Sequence, residues 1–193
     1  MRVAFLPFVR RFTVAASLFL LPLGGAQAAS ALTPAAAASA VAPGRFVWRE
    51  DAAAAAGPVR VLVSLPLQLA FVFKGNALVG ASSVSSGVAG YDTPTGTFPI
   101  LQKDKDHKSN IYDDAPMPYM LRLTWDGVAL HAGKVTGEPE SHGCVRLPIA
   151  FAKKLYDLAE VGATVSVVDA VPDFVQQAPP SDPIAETAQT ASR

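Results

Sequence analysis

The chain has 193 residues, half of them hydrophobic, with 16 Lys+Arg against 16 Asp+Glu and one cysteine, Cys144. The balanced charge offers no basic excess to draw nucleic acid, and a charged fraction of 17% does not suit a charge-driven disordered chain. A single cysteine excludes an internal disulfide framework and a cysteine-only zinc site.

Arg2, Arg10 and Arg11 open the chain with no acidic residue before position 29, and an apolar run follows at residues 14–23. Small residues ending Ala26-Gln27-Ala28 complete the order of charge, apolar stretch and A-x-A site that marks a signal peptide over residues 1–28. The run is shorter than the about 20 residues a membrane-crossing helix needs, and the alternative is an uncleaved anchor. Cleavage lowers Lys+Arg from 16 to 13 while Asp+Glu stays at 16, a net charge of −3. The expected location is exported, in the periplasm or cell envelope.

Residues 29–57 are Ala- and Pro-rich with few large apolar side chains to offset ordering entropy, which predicts a linker. Phe46, Val47 and Trp48 are the exception and are expected to dock onto the domain. Strands are predicted at residues 59–65 and 68–73, with Gly75-Asn76 as a hairpin turn into residues 77–86. A turn-rich piece at 90–96 leads to a strand at 97–101. The charged run 103–108 reads as a solvated loop, with a mobile lid as the alternative. Strands at 120–125 and 128–131 flank Asp126-Gly127, a favoured two-residue turn. One helix follows. Pro148 suits its first turn, Ile149, Ala152, Leu155, Leu158 and Ala159 trace its apolar face, and Gly162 stops it. A strand at 164–169 closes the domain, and residues 171–193 predict a disordered C-terminal tail. The fold class is mainly β, with residues 58–170 as its one domain.

The chemistry concentrates in Ser141-His142-Gly143-Cys144-Val145-Arg146-Leu147, with His131 upstream at a predicted strand end. A thiol with a free pKa of about 8.5 is a poor nucleophile until ionised. An imidazole within hydrogen-bond reach takes that proton. Gly143 lacks a Cβ, so the backbone there is free to bend sharply and turn N–H groups toward a bound carbonyl. Each element has a plainer reading: Cys144 as a small core hydrophobe, His142 and His131 as structural histidines, Arg146 as one half of a surface ion pair. A zinc site from His107, His131, His142 and Cys144 is a rival, yet neither HExxH nor CxxC is present. No metal and no cofactor are expected.

His131 followed by Ser141-His142-Gly143-Cys144-Val145-Arg146-Leu147 resembles the L,D-transpeptidase family of bacterial cell-wall enzymes. The resemblance extends over roughly residues 59–169, through Thr93-Pro94-Thr95-Gly96-Thr97-Phe98 and Met117-Pro118-Tyr119. It implies a β-sandwich-like catalytic domain of mixed sheets with one late α-helix. It also implies Cys144 as nucleophile, His131 as proton donor and acceptor, and the Ala132 backbone carbonyl as the group orienting His131. Backbone amides of His142, Gly143 and Cys144 would form an oxyanion hole, Tyr119 and His142 would line the pocket, and Ser141 and Arg146 would brace the turn. The eleven positions from His131 to His142 are fewer than in many members.

The implied reaction acts on peptidoglycan tetrapeptide stems through a Cys144 thioester, forming 3→3 cross-links or attaching another amine to the wall, such as one of a wall-attached protein. Resolution by water makes the same site an L,D-carboxypeptidase, and a non-catalytic wall-binding module is the alternative of another class. The expected partners are donor and acceptor stem peptides, with no nucleic acid and no stable membrane span after signal cleavage.

Overall fold

The computed structural model describes residues 32–176; the expected signal peptide and residues 177–193 lie outside them. The elements in chain order are α1 (Pro34–Ala40), β1 (Phe46–Trp48), α2 (Glu50–Ala53), β2 (Val59–Ser64), β3 (Leu69–Lys74), β4 (Ala77–Ser83) and β5 (Gly96–Pro99). They continue with β6 (Gln102–Lys108), β7 (Pro116–Arg122), β8 (Ala129–Ala132), β9 (Val145–Leu147), α3 (Ile149–Leu158), β10 (Thr164–Val168) and α4 (Asp173–Gln176). One sheet has the order β1-β4-β3-β2-β10-β5 and the other β6-β7-β8-β9. Each is mixed: β10 runs parallel to β2, and β9 parallel to β8, while the other pairs are antiparallel. The expected mainly β architecture of mixed sheets is what forms, with α3 as the expected late helix and three shorter helices, α1, α2 and α4, besides it.

Alternation along the strands builds the core. Val61 and Val63 of β2, Val72 of β3 and Val165 and Val167 of β10 meet Leu121, Leu130, Val145 and Leu147 of the smaller sheet. Phe151, Ala152 and Leu155 of α3 complete this cluster. Ile149, expected on the helix's apolar face, is instead 63% exposed, and Pro148 is the N-cap. The opposite face of the larger sheet is also buried, through Leu69, Phe71, Leu78 and Ala81. Burial on both faces explains why β3 reads as an unbroken apolar run.

What covers that second face corrects two expectations. Residues 29–57 were expected as a linker, yet α1 starts on Thr33, whose side chain accepts the N–H of Ala36 at 3.2 Å, and buries Ala37 fully in the second cluster. β1 pairs antiparallel with β4 through Phe46↔Ser82, Val47↔Ala81 and Trp48↔Gly80. Phe46 and Trp48 dock as expected, on the first face, where each ring lies 5.5 Å from Phe151. Composition misleads here because a helix lying close on a sheet contributes small alanine side chains, and the large ones come from the sheet. At the other end, residues 171–176 belong to the packed unit: Phe174 of α4 stands edge-on to Phe71 and Phe73, at 5.3 and 6.0 Å. Phe174→Ala should therefore lower unfolding free energy by about 1–2 kcal/mol in urea titration, the range for a half-buried ring. An unchanged midpoint would restore the loose-tail reading for these residues.

The charged run 103–108 is neither loop nor lid. It forms β6, antiparallel to β7 from Gln102↔Arg122 to Lys108↔Pro116. Its alternating Lys and Asp have poor strand propensity, which hides it, but β6 is the sheet edge, where charge discourages pairing with another chain. The Asp126-Gly127 connection is also wider than two residues: β7 ends at Arg122, β8 starts at Ala129, and Leu123 N–H donates to the Val128 carbonyl at 2.8 Å. That wider loop carries Gly127, whose carbonyl reaches the thiol of Cys144.

Candidate active site

Parallel pairing of β8 and β9 sets Leu130 opposite Val145, His131 opposite Arg146 and Ala132 opposite Leu147. Since Leu130, Ala132, Val145 and Leu147 enter the core, His131 and Arg146 project from the other face, and Cys144, one residue before β9, shares it. The short stretch after β4 secures this arrangement. Ser85 exchanges both backbone hydrogen bonds with Arg146, and the Ser86 carbonyl accepts the N–H groups of Glu140 and Ser141, each at 2.9 Å. Thr136 N–H donates to Ser85 Oγ at 3.1 Å, and Gly133 N–H to the Leu147 carbonyl at 2.9 Å. The short interval between His131 and His142 thus closes as a compact loop bonded at several points.

The turn itself folds around Ser141, a buried residue whose hydroxyl donates to the Cys144 carbonyl and accepts the Gly143 N–H at 3.1 Å. Gly143 has φ +110°, a conformation L side chains rarely adopt, although a Cβ there would meet nothing closer than 3.8 Å. The requirement for glycine is therefore backbone torsion, not space.

His131 is 7% exposed and its Nδ1 bonds the Ala132 carbonyl oxygen at 2.8 Å. Because a carbonyl only accepts, that bond puts the proton on Nδ1 and leaves Nε2 with its lone pair. Burial pushes the His131 pKa down; the Ala132 bond opposes this, and electrostatic repulsion, chiefly from Arg146, adds to it. Cys144 Sγ donates to the Gly127 carbonyl at 3.4 Å. Burial pushes the thiol pKa up, against smaller downward pulls from the Ala129 N–H, Arg146 and Arg122. Both shifts favour the uncharged forms of thiol and imidazole, and the thiol is hydrogen-bonded to Gly127 rather than to His131.

His131 and Cys144 open into one cavity of about 300 Å³, together with Ser141, His142, Lys134 and Arg146. A smaller cavity of about 70 Å³ reaches Cys144 from the side of Gly127 and Asp126. Among the described residues no cluster of three or more His, Cys, Asp or Glu stands ready for a metal.

The L,D-transpeptidase catalytic-domain model (YkuD) matches residues 58–167, more than half of the chain. The chain belongs to that family. An L,D-transpeptidase structure from Stackebrandtia nassauensis is 33% identical, with a TM-score of 0.55 over 61% of this chain and 58% of that one. L,D-transpeptidase structures from Mycobacterium smegmatis and Mycobacterium tuberculosis H37Rv share the fold at 23% and 22% identity. The first aligns with TM-score 0.54 over 57% of this chain and 58% of that one, the second with TM-score 0.55 over 57% of each. This chain thus spans less than two thirds of these structures' length. No curated protein matches it.

Within this L,D-transpeptidase domain, His131, Ala132, Ser141, His142, Cys144 and Arg146 come together as the sequence leads one to expect, and two expectations need correction. Tyr119 does not face the cavity. Its φ is +56°, and this left-handed kink swings the ring to the helix side, 5.8 Å from Tyr156 of α3. The same kink puts Met117 and Met120, three residues apart, together beside Cys144. Gly143, expected to offer its N–H to an oxyanion, has that N–H committed to Ser141. Among the described residues, the turn's N–H groups without an acceptor are those of His142 and Cys144.

The residues missed from sequence are Tyr112 and Lys134. Tyr112 lies in the connection between β6 and β7 and lines both cavities, with its ring 4.9 Å from His142, which also lies 4.7 Å from the Tyr91 ring. Tyr112 has no sequence signal, because the charged run before it has poor strand propensity and so hides the strand connection it sits in. Lys134 sits only three residues past His131 and stays exposed, but nothing local announces that it borders the cavity.

Proposed function

We propose that the chain is an exported L,D-transpeptidase that acylates Cys144 with peptidoglycan tetrapeptide stems. The observation that carries the reading is His131, anchored by the Ala132 carbonyl, sharing one cavity with the only thiol of the chain. Acting on peptidoglycan fits a place outside the cytoplasm, and no helix of the described residues is long and apolar enough to cross a membrane.

The thiol leaves Gly127 and passes its proton to Nε2 of His131 as Sγ attacks the carbonyl of the third stem residue, a diamino acid. The carbon–sulfur bond forms, negative charge gathers on the carbonyl oxygen, and the uncommitted N–H groups of Cys144 and His142 stabilise it. Collapse breaks the bond to the terminal D-alanine, whose amine takes the proton from His131. An amine of a neighbouring stem, deprotonated by His131, then displaces sulfur and yields a 3→3 cross-link, and water in its place yields the shortened stem. A neutral resting pair suits this order, because the thiolate is generated only as the carbonyl arrives.

Charge in the cavity favours such a donor. Lys134 and Arg146 line it and no Asp or Glu does, matching a stem peptide that carries free carboxylates. Lys134→Ala should raise KM about two- to fivefold with kcat unchanged, the scale of one exposed charge. A fall in kcat at constant KM would remove Lys134 from donor binding. The reading as a whole is tested by incubating the full chain with tetrapeptide muropeptides and weighing the products. Cross-linked dimers support transfer, tripeptides alone support hydrolysis, and unchanged substrate rejects both.

A further inference from the structure

The peptide on which this chemistry depends is held by a residue outside the Ser141–Leu147 segment. Thr93 is 4% exposed; its Oγ1 accepts the Gly87 N–H at 2.9 Å and donates to the Gly143 carbonyl oxygen at 2.9 Å. A trans peptide is planar, with its C=O and N–H on opposite sides. Fixing the carbonyl of Gly143 therefore fixes the N–H of Cys144 on the reverse side of the same plane. That N–H is one of the two uncommitted donors of the turn, and it belongs to the residue that bears the thiol. Glycine leaves this peptide unusually free to rotate, since residue 143 has no Cβ to restrict its torsions. The Thr93 hydroxyl supplies the restraint that the backbone lacks.

Thr93 is itself held firmly. A Cβ on Gly87 would lie 1.9 Å from the Tyr91 carbonyl oxygen, so residues 87–93 close on themselves with no slack. Gly87 directly follows Ser86, whose carbonyl ties down the Glu140 and Ser141 N–H groups, and the Val88 N–H donates to the Ser141 carbonyl at 3.0 Å. Ser86 is in turn locked by Gln68, which takes its N–H at 2.9 Å and donates to its hydroxyl at 2.7 Å. The start of the turn and the Gly143 carbonyl are thus referenced to one short segment, residues 86–93, whose two ends, Ser86 and Thr93, are buried.

We propose that Thr93 is a positioning residue for acyl transfer, holding the Gly143–Cys144 peptide so that the Cys144 N–H faces the oxygen on which charge develops. The proposal rests on the acyl-transfer reading above. In the step concerned, Sγ bonds to the carbonyl carbon, the C=O electron pair moves onto oxygen and accepts the Cys144 N–H, and the pair returns as the bond to the leaving nitrogen breaks. Thr93 neither gives nor takes a proton.

The test compares two reactions of the same thiol in the full chain, both followed by intact mass. A carbapenem, with its strained β-lactam carbonyl, acylates through an oxyanion; iodoacetamide alkylates by displacement at a saturated carbon and forms none. Thr93→Val is expected to slow acylation at least ~10-fold while alkylation stays within about twofold, and Thr93→Ser to restore acylation to near the original rate. Should Thr93→Val fail to fold, Thr93→Ala removes the same hydroxyl and gives the same ratio. Equal slowing of both reactions assigns Thr93 to general support of the fold and overturns the proposal, as does slowing of neither. An unaltered chain that is alkylated but never acylated rejects acyl transfer itself, and the role of Thr93 with it.

Discussion

Cys144→Ser is expected to reduce product formation from tetrapeptide stems by at least ~100-fold while leaving the fold intact. The hydroxyl that replaces the thiol is far less acidic, so its activation demands a stronger base than the thiol does. His131 cannot meet that demand, because burial makes its ring a weaker base than a free imidazole. Oxygen is also a poorer match than sulfur for the lining of Met117, Met120 and Ala129 beside this position. Circular dichroism should be unchanged, since the turn is held by Ser141 and by backbone bonds that do not involve the side chain of residue 144. Product formation within a few fold of the unaltered chain, from a protein of confirmed mass, would end the case for thioester chemistry.

His131→Ala should cost a comparable ~100-fold, with a pH signature that separates it from a structural lesion. The imidazole acts as base in its neutral form. Its pKa is pushed below the ordinary value of about 6.5, so the ring stays neutral and competent into mildly acidic solution. The acidic limb of kcat/KM in the unaltered chain should therefore have its midpoint below pH 6.5. On the alkaline side the thiol is pushed above its usual range, so a plateau should span neutral pH. His131→Ala should lose the acidic limb altogether, the residual rate rising with hydroxide instead. An acidic limb that persists in the variant with the same midpoint would assign it to another group and remove His131 from the proton transfers.

The chain announces its chemistry locally. Ser141, His142, Gly143 and Cys144 are contiguous, and the torsion that Gly143 must adopt follows from side-chain sterics within a few bonds. The alternation of β2 and the Gly75-Asn76 turn are local in the same sense: β3 and β4 pair with Lys74 opposite Ala77, as a two-residue loop requires, and Gly75 takes a φ of +55°. Periodicity likewise marks α3, although Ile149 shows that an apolar stripe alone does not say where a buried face ends.

Other features depend on partners distant along the chain. The alanines of α1 acquire a purpose only where β3 and β4 offer large side chains to cover, and β6 is a strand because β7 supplies its hydrogen bonds. Tyr119 carries the residue type expected of a pocket wall, but its backbone turns it toward Tyr156, and Tyr112 stands beside His142 instead. The direction of the thiol was equally hidden, because Gly127 reaches Cys144 only through the widened loop between β7 and β8. Residue identity thus determines which groups are able to react, since reactivity is written in single side chains and their immediate backbone. Which way the thiol points and which ring lines the cavity were decided by tertiary packing, because the contacts of Cys144 with Gly127 and of Tyr112 with His142 each join residues far apart in the chain.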